Sequence, residues 1–110
     1  MNVSEQIKEI EHSINELTKI KEKGEALRRL KDNKDFKLVV LEGYFKDEAA
    51  RLVLLKGDIG SEADQKFYTK AIKAIGMFNS YLSSVISLGR RAEDSLESHK
   101  EEKIRLQSEV

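Results

Sequence analysis

The sequence predicts an all-α protein, either a three-helix bundle or a helical hairpin with a long C-terminal helix, packed in the manner of a coiled coil. Three observations carry that prediction. No proline interrupts the 110 residues, and proline both removes a helical hydrogen bond and collides with the preceding turn. Apolar residues recur at alternating steps of four and three, which keeps them on one stripe of a helix. Clusters of Asp, Asn, Gly and Ser at 32–35 and 57–64 supply caps and turns, dividing the chain into helices at about residues 4–31, 35–56 and 61–107. One domain suffices, because single cores commonly form at about 100 to 150 residues.

The first helix is read from Val3, Ile7, Ile10, Ile14 and Leu17, a heptad seam that Ser4 can cap. Glu16 with Lys19, and Glu25 with Arg28 and Arg29, support its solvated face by a few tenths of a kcal/mol per pair, on the order of 0.3. Ile20 falls one residue early for the seam and Gly24 follows, so a bend is expected there, since glycine costs about 1 kcal/mol against alanine inside a helix. A mild bend gives three helices running up, down and up; a sharp one folds the first helix beside the tail of the third.

The segment DNKD at 32–35 should end the first helix and cap the second. In the second helix Phe36, Leu38, Val39, Val40, Leu41, Tyr44, Phe45, Leu52, Val53, Leu54 and Leu55 surround most of the cylinder, which predicts a helix enclosed by neighbours at the centre of the core. KLVVLEGYF would also suit a strand, but Glu42 to Lys46 and Asp47 to Arg51 are helical ion-pair steps and DEAARLVLLK favours helix. GDIG supplies a turn, and Ser61 with Asp64 three residues later resembles a capping box that opens the third helix.

From Ala71 the third seam runs Ile75, Phe78, Leu82, Val85, Gly89, Ala92, Leu96, His99, Lys103, Leu106 and Val110, weakened late by its two polar members. A helix of about 45 residues reaches about 70 Å, more than a compact monomer covers. Within it AIGMFNSYLSSVISLG, residues 74–89, carries no charge in a chain of which 36% is charged. Opposite the seam lie Gly76, Ser80, Ser83 and Ser87, small residues at steps of four, three and four that would let a second backbone approach. The candidate protein interface is therefore Ile75, Gly76, Phe78, Ser80, Leu82, Ser83, Val85 and Ser87, with the apolar members buried and the small ones in close contact with a partner. Filling of both faces within one chain is the competing expectation.

Composition excludes several function classes. The absence of cysteine removes disulfides and thiolate metal sites. Twenty bases balance twenty acids, and the balance holds piecewise: seven of each sign over 1–33, five over 34–60 and eight over 61–110. Nucleic acid is accordingly not an expected partner. Lys66, Lys70, Lys73, Arg90 and Arg91 form the best basic patch, from 66 to 91 without an acid, and are read as solvated or partner-facing. No apolar run approaches the roughly 18 residues of a membrane span, and the start is not that of a secretory signal. Glu9, His12 and Glu16 share a helix face but fall short of a metal site, His99 is read as a seam residue, and the serines at 80–87 lack a nucleophile elbow. No catalytic, cofactor or metal residue is assigned, and no enzyme is expected.

The stretch from Ala26 to Asp94, above all NKDFKLVVLEGYFKDEAARLVLLKGD followed by AIGMFNSYLSSVISLGRRAED, resembles small helical accessory proteins encoded by tailed bacteriophages. The similarity lies in the DFK, EGYF, DEA and LV pattern before a short turn, then a helix with a glycine and aromatic pair and an acidic-basic tail. What the resemblance implies is a virion component or assembly factor, located in the host cytoplasm or incorporated in the virion. Repetition of one chain around a symmetric assembly agrees with the periodicity argument for homo-oligomers or other phage proteins as partners. The alternative is a phage-encoded intracellular effector that binds and inhibits a host protein.

Overall fold

A computed structural model describes residues 2–58 and 61–110, and among them every regular element is helical, with no strand. Helix α1 spans Val3–Asp32, α2 spans Lys34–Phe36, a π-helical segment spans Lys37–Glu48, α3 spans Ala49–Asp58 and α4 spans Glu62–Gln107. The elements from α2 to α3 follow one another without a break, so the three expected helices are present, the second as a composite.

Local chemistry sets the ends. The Glu5 N–H donates to Asn2 Oδ1 at 2.8 Å, so Asn2 takes the capping role expected of Ser4 and α1 begins one residue early. Asn33 sits in extended backbone between α1 and α2 and accepts from the Phe36 N–H at 2.9 Å. The Asp64 N–H donates to Ser61 Oγ at 3.3 Å, opening α4 as the capping pattern predicts. The expected GDIG turn falls in part on residues 59 and 60, which lie outside the described residues; Gly57 belongs to α3.

The chain divides into two compact units. The first comprises Met1–Leu27 and Val85–Val110, an antiparallel pair formed by α1 and the C-terminal part of α4. Gly24 abuts Gly89, and Glu11 reaches Lys103 at 3.5 Å; 13 residues back along α1 match 14 forward along α4. Up-down-up would have made these helices parallel, so the arrangement is the folded-back one. It is reached without the expected break, for α1 is one helix through Gly24. Leu27, Val85, Ala92, Leu96 and Leu106 are buried here, whereas Val3, Ile7, Ile10, Ile14 and Leu17 are half-buried, as befits a seam covered from one side.

The polar members of the seam have local partners. His99 is half-buried and its Nδ1 donates to the Ser95 carbonyl at 2.7 Å, while Lys103 pairs with Glu11 across the two helices. Such interhelical charges specify register more than they add stability.

The second unit, Arg28–Ser84, pairs the composite helix with the N-terminal part of α4. Gln65 Nε2 donates to the Lys56 carbonyl, and Phe78 packs against Tyr44 and Phe45 with ring centroids 6.1 and 5.6 Å apart, so these helices are also antiparallel. The buried residues are Leu52, Ile75 and Leu82. The enclosed central helix is not what forms. Leu38, Val39, Val53 and Leu54 are exposed, because this unit offers only one neighbouring helix and therefore covers one side. Lys37–Glu48 also winds with i to i+5 hydrogen bonding, a wider turn that moves residues four apart out of alignment. Neither Glu42 with Lys46 nor Asp47 with Arg51 is among the described ion pairs; Glu48 with Arg51 forms instead.

Candidate interaction surface on the long helix

Residues 74–84 of α4 place the expected interface in the second unit, and its two faces meet different fates. Ile75 and Leu82 turn inward and are buried. Phe78, expected to be buried with them, keeps 39% of its surface exposed, since the Tyr44 and Phe45 rings cover only part of it. Gly76, Ser80 and Ser83 are all exposed. A methyl group added at Gly76 would meet nothing within 4 Å among the described residues. The competing expectation, that one chain fills both faces, therefore does not describe this surface.

Val85 and Ser87 belong to the first unit, the former buried and the latter exposed. Close helix approach does occur in this unit, at a place sequence reasoning assigned otherwise. A Cβ built on Gly24 would lie 3.0 Å from Gly89 Cα and 3.2 Å from the Val85 carbonyl oxygen, both backbone atoms. Gly24, read as a helix bend, and Gly89, read as one more seam position, are the two halves of a single helix crossing. Each lies on the seam of its own helix, Gly24 seven residues beyond Leu17 and Gly89 seven beyond Leu82, and that was the signal available in sequence.

The surface also contains large residues that the small-residue pattern did not single out. Met77 is 71% exposed and Tyr81 50%, one turn apart beside the serines. A residue count from Ala74 in steps of three and four passes through both, next to the buried stripe rather than within it. Ser84 Oγ donates to the Ser80 carbonyl at 3.0 Å, a bond made within the helix. On the composite helix a shallow concavity is lined by Val39, Val40, Gly43, Tyr44 and Glu48.

Charge around these faces is ordinary surface charge. Lys66 pairs with Glu62 at 3.8 Å, and His12 and Glu16 are exposed, Glu16 pairing with Lys19 at 3.3 Å as expected. Lys21, in place of Arg28 or Arg29, pairs with Glu25. The Arg51 guanidinium, hydrogen-bonded to Glu48, holds that carboxyl below the usual glutamate range and is itself raised by it. Among the described residues no helix is long and apolar enough to cross a membrane.

Fold and surface define a chain of antiparallel helix pairs with an uncharged helix face left open. No family model, no curated protein and no solved structure matches it.

Proposed function

We propose that the chain is a nonenzymatic structural or assembly protein of a tailed bacteriophage, acting through helix-helix self-association along α4. One observation carries the reading: the uncharged surface around Gly76, Met77, Ser80 and Ser83 is exposed, with open space over Gly76. Contiguous uncharged surface of this kind on a highly charged chain is a mark of a protein-protein contact. The phage setting comes from the resemblance of residues 26–94 to small helical proteins of tailed phages, and many copies around a symmetric particle give such a face its partner.

Light scattering at high micromolar concentration tests self-association. An oligomer is expected, and Gly76→Leu should dissociate it while far-ultraviolet circular dichroism stays unchanged, because no described residue comes within 4 Å of a Cβ added at Gly76. A parent that remains monomeric would remove the reading. Mass spectrometry of purified virions should find the chain in stoichiometric amounts.

A second reading is an intracellular effector that inhibits a host protein. It is favoured by Leu38, Val39, Val53 and Leu54, whose exposure on the composite helix offers a separate apolar surface to a foreign helix or groove. Absence from virions together with loss of host-protein capture in a Leu54→Glu variant would support it over the structural role.

A further inference from the structure

Opposite its buried Ile75 and Leu82, helix α4 presents a second stripe at alternating steps of four and three: Lys66, Lys70, Lys73, Met77, Ser80 and Ser84. All six belong to the second unit and all six are exposed. The stripe is divided in charge: its first three members are lysines, its last three are uncharged, and no Asp or Glu occurs from 65 to 84. Among the described ion pairs Lys66 joins Glu62 at 3.8 Å, and Lys70 and Lys73 join none.

Two such stripes laid parallel in register set three lysines on three lysines. Laid antiparallel about a two-fold axis level with residue 75, Lys66 meets Ser84, Lys70 meets Ser80 and Lys73 meets Met77 of the other copy, because 66 and 84, 70 and 80, and 73 and 77 are each centred on 75. Every layer then holds one lysine and one uncharged residue. The serines leave room for the lysine stems, which lie along apolar surface while the ammonium reaches the edge. Tyr81 follows Ser80 at that edge, half exposed, and its ring face is a site for the Lys70 ammonium. At the helical rise per residue, Lys66 and Lys70 end about 27 and 15 Å along the axis from their own counterparts, beyond the screening length of about 8 Å at physiological salt. Lys73 comes within about 6 Å of its counterpart by the same rise, and its stem carries the charge outward past Met77. An anionic partner would engage the lysines and leave Met77, Ser80 and Ser84 without a role, whereas a second copy uses both halves.

We infer that α4 pairs antiparallel with α4 of a second copy through residues 66–84, the lysine half of each stripe seated on the uncharged half of the other. The inference rests on the self-association reading and specifies its face, orientation and register.

Sedimentation of the full chain tests it with two paired substitutions that leave the lysines in place. In Ser80→Glu with Ser84→Glu the new carboxylates face Lys70 and Lys66 of the other copy, so association should tighten about fivefold or more at low salt and lose that gain at high salt. In Ser80→Lys with Ser84→Lys like charges face each other, and association should weaken at least about tenfold. Both positions are exposed, so far-ultraviolet circular dichroism should match the parent in each variant. A parallel pair sets 80 on 80 and 84 on 84, so both variants would weaken; that result, or unchanged association in both, removes the antiparallel inference while self-association stands. A parent that stays monomeric, including one that binds only anionic vesicles or nucleic acid, overturns both.

Discussion

At Gly24 and Gly89 two helix backbones of the first unit nearly touch, while at Gly76 in the second unit the helix surface opens onto space. All three glycines lie within long helices, and each lowers local helix propensity by a similar amount. The difference between them lies entirely in what stands opposite. Where a second backbone occupies the place of a side chain, glycine is a packing residue; where nothing does, it leaves the helix surface open.

Six substitutions sharpen or break that contrast. The largest effect is expected at the crossing, where Gly89→Leu should separate the helices of the first unit and lower stability to chemical denaturation by about 3 kcal/mol or more. Gly24→Ala should also destabilise, by about 1 to 2 kcal/mol, because its methyl would lie 3.0 Å from Gly89 Cα and backbone cannot move aside as a flexible side chain can. A stabilised Gly24→Ala variant would show that the crossing is looser than described.

Between those two in size falls the second unit's small core. Leu82→Ala should cost about 2 to 4 kcal/mol, because Leu82 is buried, whereas Leu54→Ala on the exposed side should stay within about 0.5 kcal/mol in the isolated monomer. Equal losses at both positions would mean that Leu54 is covered in solution.

Gly76→Ala should move stability the other way. With open space above it, the added methyl gains helix propensity alone, about 0.5 to 1 kcal/mol at concentrations where the chain is monomeric. The smallest effect concerns Glu48. Its carboxyl is held low by the Arg51 hydrogen bond, so the stabilising contribution is present above the unfolded glutamate pKa and is lost as pH falls through the lower folded value. A carboxyl titration followed by NMR should place Glu48 below ordinary glutamates in the parent and return it to their range in Arg51→Met.

Much of the helical organisation was legible along the chain. Val3, Ile7, Ile10, Ile14 and Leu17 announced α1, Ser61 announced the start of α4, and Asn33 in DNKD marked the division between helices. Less of the surface was legible. The buried and open faces around residues 74–84 followed from spacing, but the partial exposure of Phe78 and the exposure of Met77 depended on where Tyr44 and Phe45 come to rest. The apolar girth of the composite helix suggested enclosure, since periodicity reports which sides are apolar and not how many neighbours exist to cover them.

By itself the sequence determined helix and its interruptions, because propensity, capping and spacing act over four residues or fewer. Only tertiary structure decided that α1 runs antiparallel to the end of α4, that Gly24 meets Gly89, and that residues 37–48 widen into a π-helix. These depend on contacts between residues dozens of positions apart. A glycine or a leucine has the same local preferences whether its opposite side holds another helix or water.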